Sequence, residues 1–378
     1  MITRRLLSEL PFALPLYLLR LKIGPLPTTA LELYLLILFA AFLNEYRLIG
    51  LREAWCALER FRWPVFAWVA TTLLAVFIAQ NPIAGLGLWR AYVLEPVLVF
   101  SLLRLVLPSP SLLIRNLFCV VIGVTIWAVI QYVTGYGIPH PWNVPIELGR
   151  RATGPFPYPN ALALFVAPIG AYALSQKHTL GIVTIVAAFL SVLLARSEGG
   201  LIALGSATWI FLVLQPRFRR LILTFTVLAA ILVAIIPVIH KPIVRELTFQ
   251  GWSGKVRIYM WRDTITMLKD HWFLGAGFGG YPTVFKPYQR THGIEVFQYP
   301  HNLVLTLWSE TGLLGLLAFI WILIIWFRVG RMSIITALPL LTILIQGLVD
   351  VPYFKNDLAI LFWMLVWLTT TRTQKPMG

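Results

Sequence analysis

The stretch LILTFTVLAAILVAIIPVI, residues 221–239, carries no charged side chain, and as a helix it is long enough to cross the roughly 30 Å hydrocarbon core of a bilayer. Thr179–Ala195 and Gly199–Pro216 are uncharged apolar runs of the same kind. Over all 378 residues, 59% are hydrophobic and only 12% charged, and the mean hydropathy is +0.81, values that exclude a soluble domain of this length. The runs are continuous and do not alternate, which predicts helices and not a β-barrel.

Working outward, the apolar pattern predicts spans at approximately 4–20, 28–43, 63–79, 88–106, 113–133, 158–175, 179–195, 199–214, 220–239, 301–327, 333–349 and 356–371. The expected fold is an all-α polytopic membrane protein with about 12 transmembrane helices, one membrane domain over residues 1–378. A long extracytoplasmic loop at 240–300, between the ninth and tenth spans, carries an amphipathic stretch at Val256–Lys269. An even number of spans puts both termini on one side. If that side is cytoplasmic, it collects Arg4, Arg5, Arg47, Arg52, Arg60, Arg62, Arg115, Lys177, Arg217, Arg219, Arg220, Arg328, Arg331, Arg372 and Lys375, as the positive-inside rule requires. The net charge of +16 is then mostly topological, and it does not call for a nucleic-acid partner. No cleavable signal peptide is expected, because the first apolar stretch contains Pro11, Pro15 and Arg20. Cys56 and Cys119 lie far apart in or beside apolar stretches and read as inert.

A few cations fall on the other side against this bias: Arg150, Arg151, Arg196 and those of the 240–300 loop. Long loops translocate whatever their charge, which covers the last group. Arg196 sits in a turn of a few residues between two apolar spans, where desolvation is expensive unless an anion compensates it. On the same side, His301 and Asn302 open the tenth span, with Asn302 placed as an N-cap. His301 is either an interfacial hydrogen-bonding residue or a base kept neutral by the helix N-terminus. Arg257 and Trp261 share a helical face, and a planar guanidinium suits recognition of a diphosphate.

Glu32, Glu95, Glu198, Glu310 and Asp350 are the acidic residues in or at the ends of apolar spans. Glu95 can pair with Arg90 within its own helix, whereas Glu198, beside Arg196, and Asp350 face the side of His301. G-A-G-F-G-G at 275–280 follows no βαβ strand and precedes no P-loop Lys-Ser/Thr, so it reads as a chain reversal and not a nucleotide site. Neither an H-E-x-x-H signature nor a His/Cys cluster with ligand spacing is present, and neither a metal nor another cofactor is expected.

Five segments in order resemble the bacterial superfamily of O-antigen ligases, O-antigen polymerases and O-linked oligosaccharyltransferases. They are G-P-F-P-Y-P-N-A-L-A at Gly154 to Ala163, S-E-G-G-L-I-A at Ser197 to Ala203, R-I-Y-M-W at Arg257 to Trp261, F-L-G-A-G-F-G-G-Y at Phe273 to Tyr281, and H-N-L-V-L-T-L-W-S-E-T-G at His301 to Gly312. The likeness covers most of the chain and is strongest from about 150 to 360. It implies a C-type glycosyltransferase-like fold and a metal-independent, inverting transfer of a glycan from a polyprenyl (undecaprenyl) diphosphate donor to an acceptor hydroxyl at the periplasmic face of the bacterial inner membrane. The acceptor would be a glycan, lipid A core or protein.

The resemblance assigns action on the acceptor hydroxyl to His301 and diphosphate contact to Arg257. Arg196, Arg150 and Arg151 are further diphosphate candidates, because the family's serine-arginine-glycine is here Ser197-Glu198-Gly199. Glu198, Trp261, Asn160, Asn302, Glu310 and Asp350 are expected to support the site. This chemistry is self-consistent: a hydroxyl attacking an anomeric carbon needs a base, and a departing diphosphate needs cations. A polytopic transporter or lipid-linked glycan flippase is the alternative, since a dozen helices with a few intramembrane charges describe those proteins too.

Overall fold

The computed structural model describes residues 1–23, 26–176, 178–291, 293–329 and 334–371. Lys177, Arg331, Arg372 and Lys375 of the expected cytoplasmic set lie outside the described residues. The amino-terminal part contains helices α1 (Ile2–Ala13), α2 (Ala30–Tyr46), α3 (Ile49–Ala57), α4 (Arg62–Ile78), α5 (Pro82–Trp89), α6 (Glu95–Val106) and α7 (Ser111–Thr134). The remainder holds α8 (Pro159–Ala173), α9 (Thr179–Leu194), α10 (Glu198–Leu214), α11 (Pro216–Ile235), α12 (Pro237–Leu247), α13 (Trp252–Asp270), α14 (Tyr281–Phe285), α15 (Leu303–Val329), α16 (Leu338–Gly347) and α17 (Asn356–Thr370). A two-strand hairpin, with Arg20 opposite Thr29, joins α1 to α2.

Local sequence explains the ends of these helices. Thr29 and Glu32 form a reciprocal capping box at the start of α2, the Ser197 hydroxyl caps α10, and the Asn302 side chain accepts from Leu305 N–H at 3.0 Å to cap α15. Prolines occupy the first positions of α5, α8, α11 and α12, where their missing N–H costs nothing. The alternating prolines of 154–159 keep that segment out of regular helix until Pro159.

The structure corrects the expectation of about 12 transmembrane helices. Among the described residues, five helical stretches are long and apolar enough to cross a membrane: Glu59–Ile78, Pro82–Val106, Ser111–Thr134, Pro216–Ile235 and Leu303–Val329. A sixth exists if α2 and α3, bent by 110° at their junction, count as one. The first expected span is divided into a 12-residue helix, which carries Pro11 within it, and a 3-10 turn from Leu14 that holds Pro15 near its start. The apolar runs assigned to α8, α9, α10, α16 and α17 form helices of only 10–17 residues, because each run continues into turns at its ends.

Hydropathy also cannot tell lipid from protein interior. Nearly every residue of α8 and α17 is buried within the protein, whereas no residue of α11 is. The even-number argument for the placement of the termini falls with the span count. What stands is a multi-pass, all-α membrane protein.

The core that carries the site is aromatic. Trp68 of α4, Phe319 of α15 and Phe362 of α17 surround Tyr353, with ring centroids 5.1–5.9 Å from the Tyr353 ring. Tyr353 belongs to the short connection between α16 and α17, so this cluster fixes the connection that bears Asp350. Helix α8 packs against α9, α10 and α16, which brings the start of α8, the α9–α10 turn and the end of α16 to one end of the bundle.

The glycine-rich turn also docks by its backbone. Leu313 N–H donates to Phe273 O at 3.0 Å, and Ala276 N–H donates to Ser309 O at 2.6 Å. This approach falls where Gly312, at φ +68°, interrupts the helical geometry of α15. A side chain at Gly312 would run into the backbone of Phe273 and Leu274.

Candidate functional site

His301 stands immediately before α15 with φ +48°, a left-handed conformation uncommon for a residue with a side chain. Asn302 holds this corner from both sides, capping α15 and donating to Leu348 O at 3.0 Å. The Trp261 indole of α13 donates to Pro300 O at 2.8 Å, and the Phe297 ring meets the imidazole edge-on at 5.1 Å. The corner that bears His301 is therefore held by three side chains, those of Asn302, Trp261 and Phe297.

The imidazole is aimed at Asp350: His301 Nδ1 and Asp350 Oδ1 are 3.2 Å apart. Asp350 in turn accepts from Val351 N–H at 2.9 Å and, at Oδ2, from Asn160 Nδ2 at 3.1 Å. The Asn160 carbonyl accepts from Arg151 at 3.0 Å. One relay of hydrogen bonds thus runs from Arg151 through Asn160 and Asp350 to His301. The His301 side chain is 28% exposed and that of Asp350 only 9%, so the ring is reachable while its partner is shielded. Burial pushes the Asp350 carboxyl up, but the hydrogen bond and charge of His301, the Val351 N–H and the Arg257 guanidinium outweigh it and hold the carboxyl below its ordinary value. Because the Asp350 carboxylate accepts from Nδ1, the neutral tautomer of His301 compatible with this contact carries its proton at Nδ1 and its lone pair at Nε2.

Arginines gather on the same side. Arg257 of α13 donates to Val349 O at 2.9 Å and to the Ser253 hydroxyl at 2.6 Å, and neither contact neutralises it. Arg151 donates to Ala195 O at 2.8 Å, which ties it to the α9–α10 turn. In that turn Arg196 is exposed, has φ +49° and extends its guanidinium over Gly149. Burial lowers the proton affinity of Arg151, the Glu198 carboxylate raises it, and the charges of Arg196 and Arg257 lower it further. The three arginines are thus close enough to repel one another, with Glu198 as partial compensation. Such a cluster favours a bound anion.

Other expected site residues lie elsewhere. Arg150 is engaged by the carbonyls of Tyr132 and Val133 at the C-terminal end of α7, a cation on a helix C-terminus, and by that of Val144 in the following loop, and is not part of the relay. Glu310 is fully buried beneath the glycine-rich turn, where it accepts from Gly279 N–H and, at 3.2 Å, from Tyr281 N–H. Glu95 faces Arg90 at 3.3 Å within its own helical stretch, and Arg90 also reaches Glu32 at 2.8 Å. Among the described residues, no group of three or more His, Cys, Asp or Glu side chains could hold a metal ion.

Sequence reasoning passed over Lys355 and Tyr158. The Lys355 ammonium lies 4.0 Å from the centre of the Tyr158 ring, two residues before Asn160 and five after Asp350. A lysine at the edge of an apolar run reads as an ordinary flank, so only its proximity to Tyr158 in space could have singled it out.

A family model described as O-antigen ligase matches residues 183–320, from within α9 into α15. The match bears out the resemblance drawn from the motifs, and it contains Arg196, Glu198, Arg257, Trp261, His301, Asn302 and Glu310. Arg151, Asn160 and Asp350 lie outside it. No curated protein matches the chain.

Proposed function

We propose, from the premise that residues 183–320 belong to the O-antigen ligase family, that the chain is a membrane glycosyltransferase. It moves a glycan from a polyprenyl-diphosphate donor to an acceptor hydroxyl on the non-cytoplasmic side, with inversion at the anomeric carbon. The observation that carries this reading is the relay Arg151–Asn160–Asp350–His301, with Arg257 hydrogen-bonded to the same connection through Val349 O. It joins a candidate base to candidate diphosphate ligands.

In this account His301 Nε2 accepts the proton of the acceptor hydroxyl as its oxygen attacks the anomeric carbon. Asp350 fixes the tautomer and steadies the imidazolium that results. The glycosyl–oxygen bond to the diphosphate breaks, and Arg257, Arg196 and Arg151 stabilise the charge left on the departing lipid diphosphate. Diphosphate is already a good leaving group, so arginines in a partly desolvated site are sufficient electrostatic catalysts. Asn160 and Asn302 position, Trp261 holds the His301 corner, and Glu198 keeps the arginine cluster from being over-charged before the donor arrives.

The non-cytoplasmic location is supported by charge placement. Arg115 near the start of α7, Arg217, Arg219 and Arg220 at the start of α11 and Arg328 at the end of α15 are at the helix ends opposite to the relay. The test is release of lipid diphosphate by purified protein given a polyprenyl-diphosphate-linked glycan and an acceptor. His301→Ala should abolish it while the protein still unfolds in one cooperative thermal transition, at a midpoint lowered by loss of the Asp350 contact.

A further inference from the structure

At the end of the bundle remote from the relay lies a groove that the transfer reaction does not use. Helix α7 runs towards the relay, since its last turn receives Arg150 and the relay begins at Arg151. Helix α1 runs the same way: Asn116 of α7 donates to Ser8 O at 2.8 Å, while Tyr17, just beyond α1, has its ring 5.9 Å from the Lys355 ammonium. Arg115 therefore stands about 6 Å into a helix about 36 Å long, counted from the end away from the relay. Between α1, α2 and α7 the groove holds about 730 Å³, within the roughly 300–1,000 Å³ usual for ligand sites.

Its walls divide by chemistry. Phe12 and Ala13 of α1, Leu16 just beyond it, Tyr34 of α2 and Leu112 and Cys119 of α7 form an apolar lining. Leu112, Arg115 and Cys119 are spaced three and four residues apart and share one face of α7, so the guanidinium and the apolar lining belong to one wall. Two of the three polar lining residues are satisfied within the protein: Glu9 accepts from Arg5 Nε at 2.9 Å, and the Asn116 amide is taken by Ser8 O. Arg115 is exposed and has no hydrogen-bond or ion-pair partner among the described residues. Around it, Arg4 and Arg5 lie in the first turns of α1, and the carboxylates are Glu9 and Glu45, the latter accepting from Ile2 N–H at 2.6 Å. At this mouth the cations thus outnumber the carboxylates.

We infer that the groove binds one anionic phospholipid of the leaflet opposite the relay, with its phosphate on Arg115 and one acyl chain along Phe12, Leu16 and Cys119. An apolar channel ending at an unpaired cation matches the order of groups in such a lipid, a chain and then a phosphate. An arginine near the membrane surface attracts an anionic headgroup while its stem lies along the apolar wall. Inorganic phosphate would leave that wall uncovered, so it is the poorer fit. A lipid seated here touches both α1 and α7 and fastens the one to the other.

The experiment is native mass spectrometry of the full chain released from detergent micelles, with phosphatidylglycerol and phosphatidylcholine of identical acyl chains titrated in turn and inorganic phosphate as competitor. The wild type should retain one phosphatidylglycerol with about fivefold higher affinity than phosphatidylcholine, and Arg115→Gln should remove that preference, whereas Arg115→Lys should keep most of it. Arg115 is exposed, so neither variant should disturb folding. Cys119→Phe, which fills the chain part of the groove, should weaken both lipids. Arg257→Ala should change neither, so the groove and the transfer reaction stand or fall separately. Equal retention of the two lipids by the wild type, or a preference that survives Arg115→Gln, overturns the inference. So does displacement of the lipid by inorganic phosphate, which would make this a site for a free anion, and so does a dimer mass lost on Cys119→Phe, which would make it an interface between copies of the chain.

Discussion

His301 Nδ1 lies 3.2 Å from Asp350 Oδ1, and the two residues belong to segments on either side of α15 and α16. The pairing makes Asp350 a positioning residue that acts through the imidazole. Asp350→Asn should therefore lower kcat by about 10²–10⁴-fold with little change in donor KM. Equal kcat in the variant and wild type would mean that the pair does not serve the reaction.

The arginines separate by role. Arg257→Ala and Arg151→Ala should each weaken donor binding by about 10- to 100-fold, as expected for loss of a hydrogen bond to a charged group worth about 1.5–3 kcal/mol. Arg257→Lys should restore little, because an ammonium lacks the planar fork. Arg150→Ala should instead lower the unfolding temperature and leave donor affinity unchanged, since its contacts are carbonyls at the end of α7 and in the loop that follows it. Titration of each variant with a non-hydrolysable lipid diphosphonate reads all three.

The pH dependence of stability follows from Asp350, whose folded carboxyl lies below its ordinary value. A depressed carboxyl contributes stability above its unfolded pKa and loses that contribution as pH falls through the folded one. The unfolding-temperature gap between wild type and Asp350→Asn should thus be full near pH 6 and should narrow as pH drops below about 4. A gap that stays constant over this range would rule out an ionised Asp350 as the partner of His301.

Gly312→Ala should destabilise the protein by more than the roughly 1–2 kcal/mol that a left-handed residue costs, because the added carbon also meets the backbone of Phe273 and Leu274. Glu310→Gln should do likewise by weakening the carboxylate contacts to Gly279 and Tyr281 N–H. Both effects should appear as lower thermal midpoints, and residual folded protein should keep its donor affinity.

Local features were the legible part of this protein. The alternating prolines before Pro159 foretold an extended entry to α8, and His301-Asn302 foretold a capped helix start. Helix length was not legible, because the apolar runs of α8 and α17 reflect burial in protein as much as any lipid contact. The relay was only half legible: Asn160 and Asp350 are 190 residues apart and His301 and Asp350 are 49 apart, separations that no spacing rule spans. Arg150 and Arg151 are adjacent in sequence, yet one closes α7 and the other enters the relay, a division made by the turn between them and not by residue type.

If arginines carry the electrostatic work, removal of divalent cations should leave turnover unchanged. Rates measured with excess chelator and with added Mg²⁺ check this, and a rate that falls with chelator and returns with the metal would assign that work to the ion.

The central claim is that His301 is the base for transfer from a lipid diphosphate. Its most direct test is single-turnover release of polyprenyl diphosphate from a lipid-linked glycan in proteoliposomes, comparing wild type with His301→Ala at saturating donor. The account predicts a burst of lipid diphosphate and glycosylated acceptor from the wild type and none from the variant, with donor bound equally by both. Equal release from both proteins, or donor binding with no release from the wild type, would contradict it.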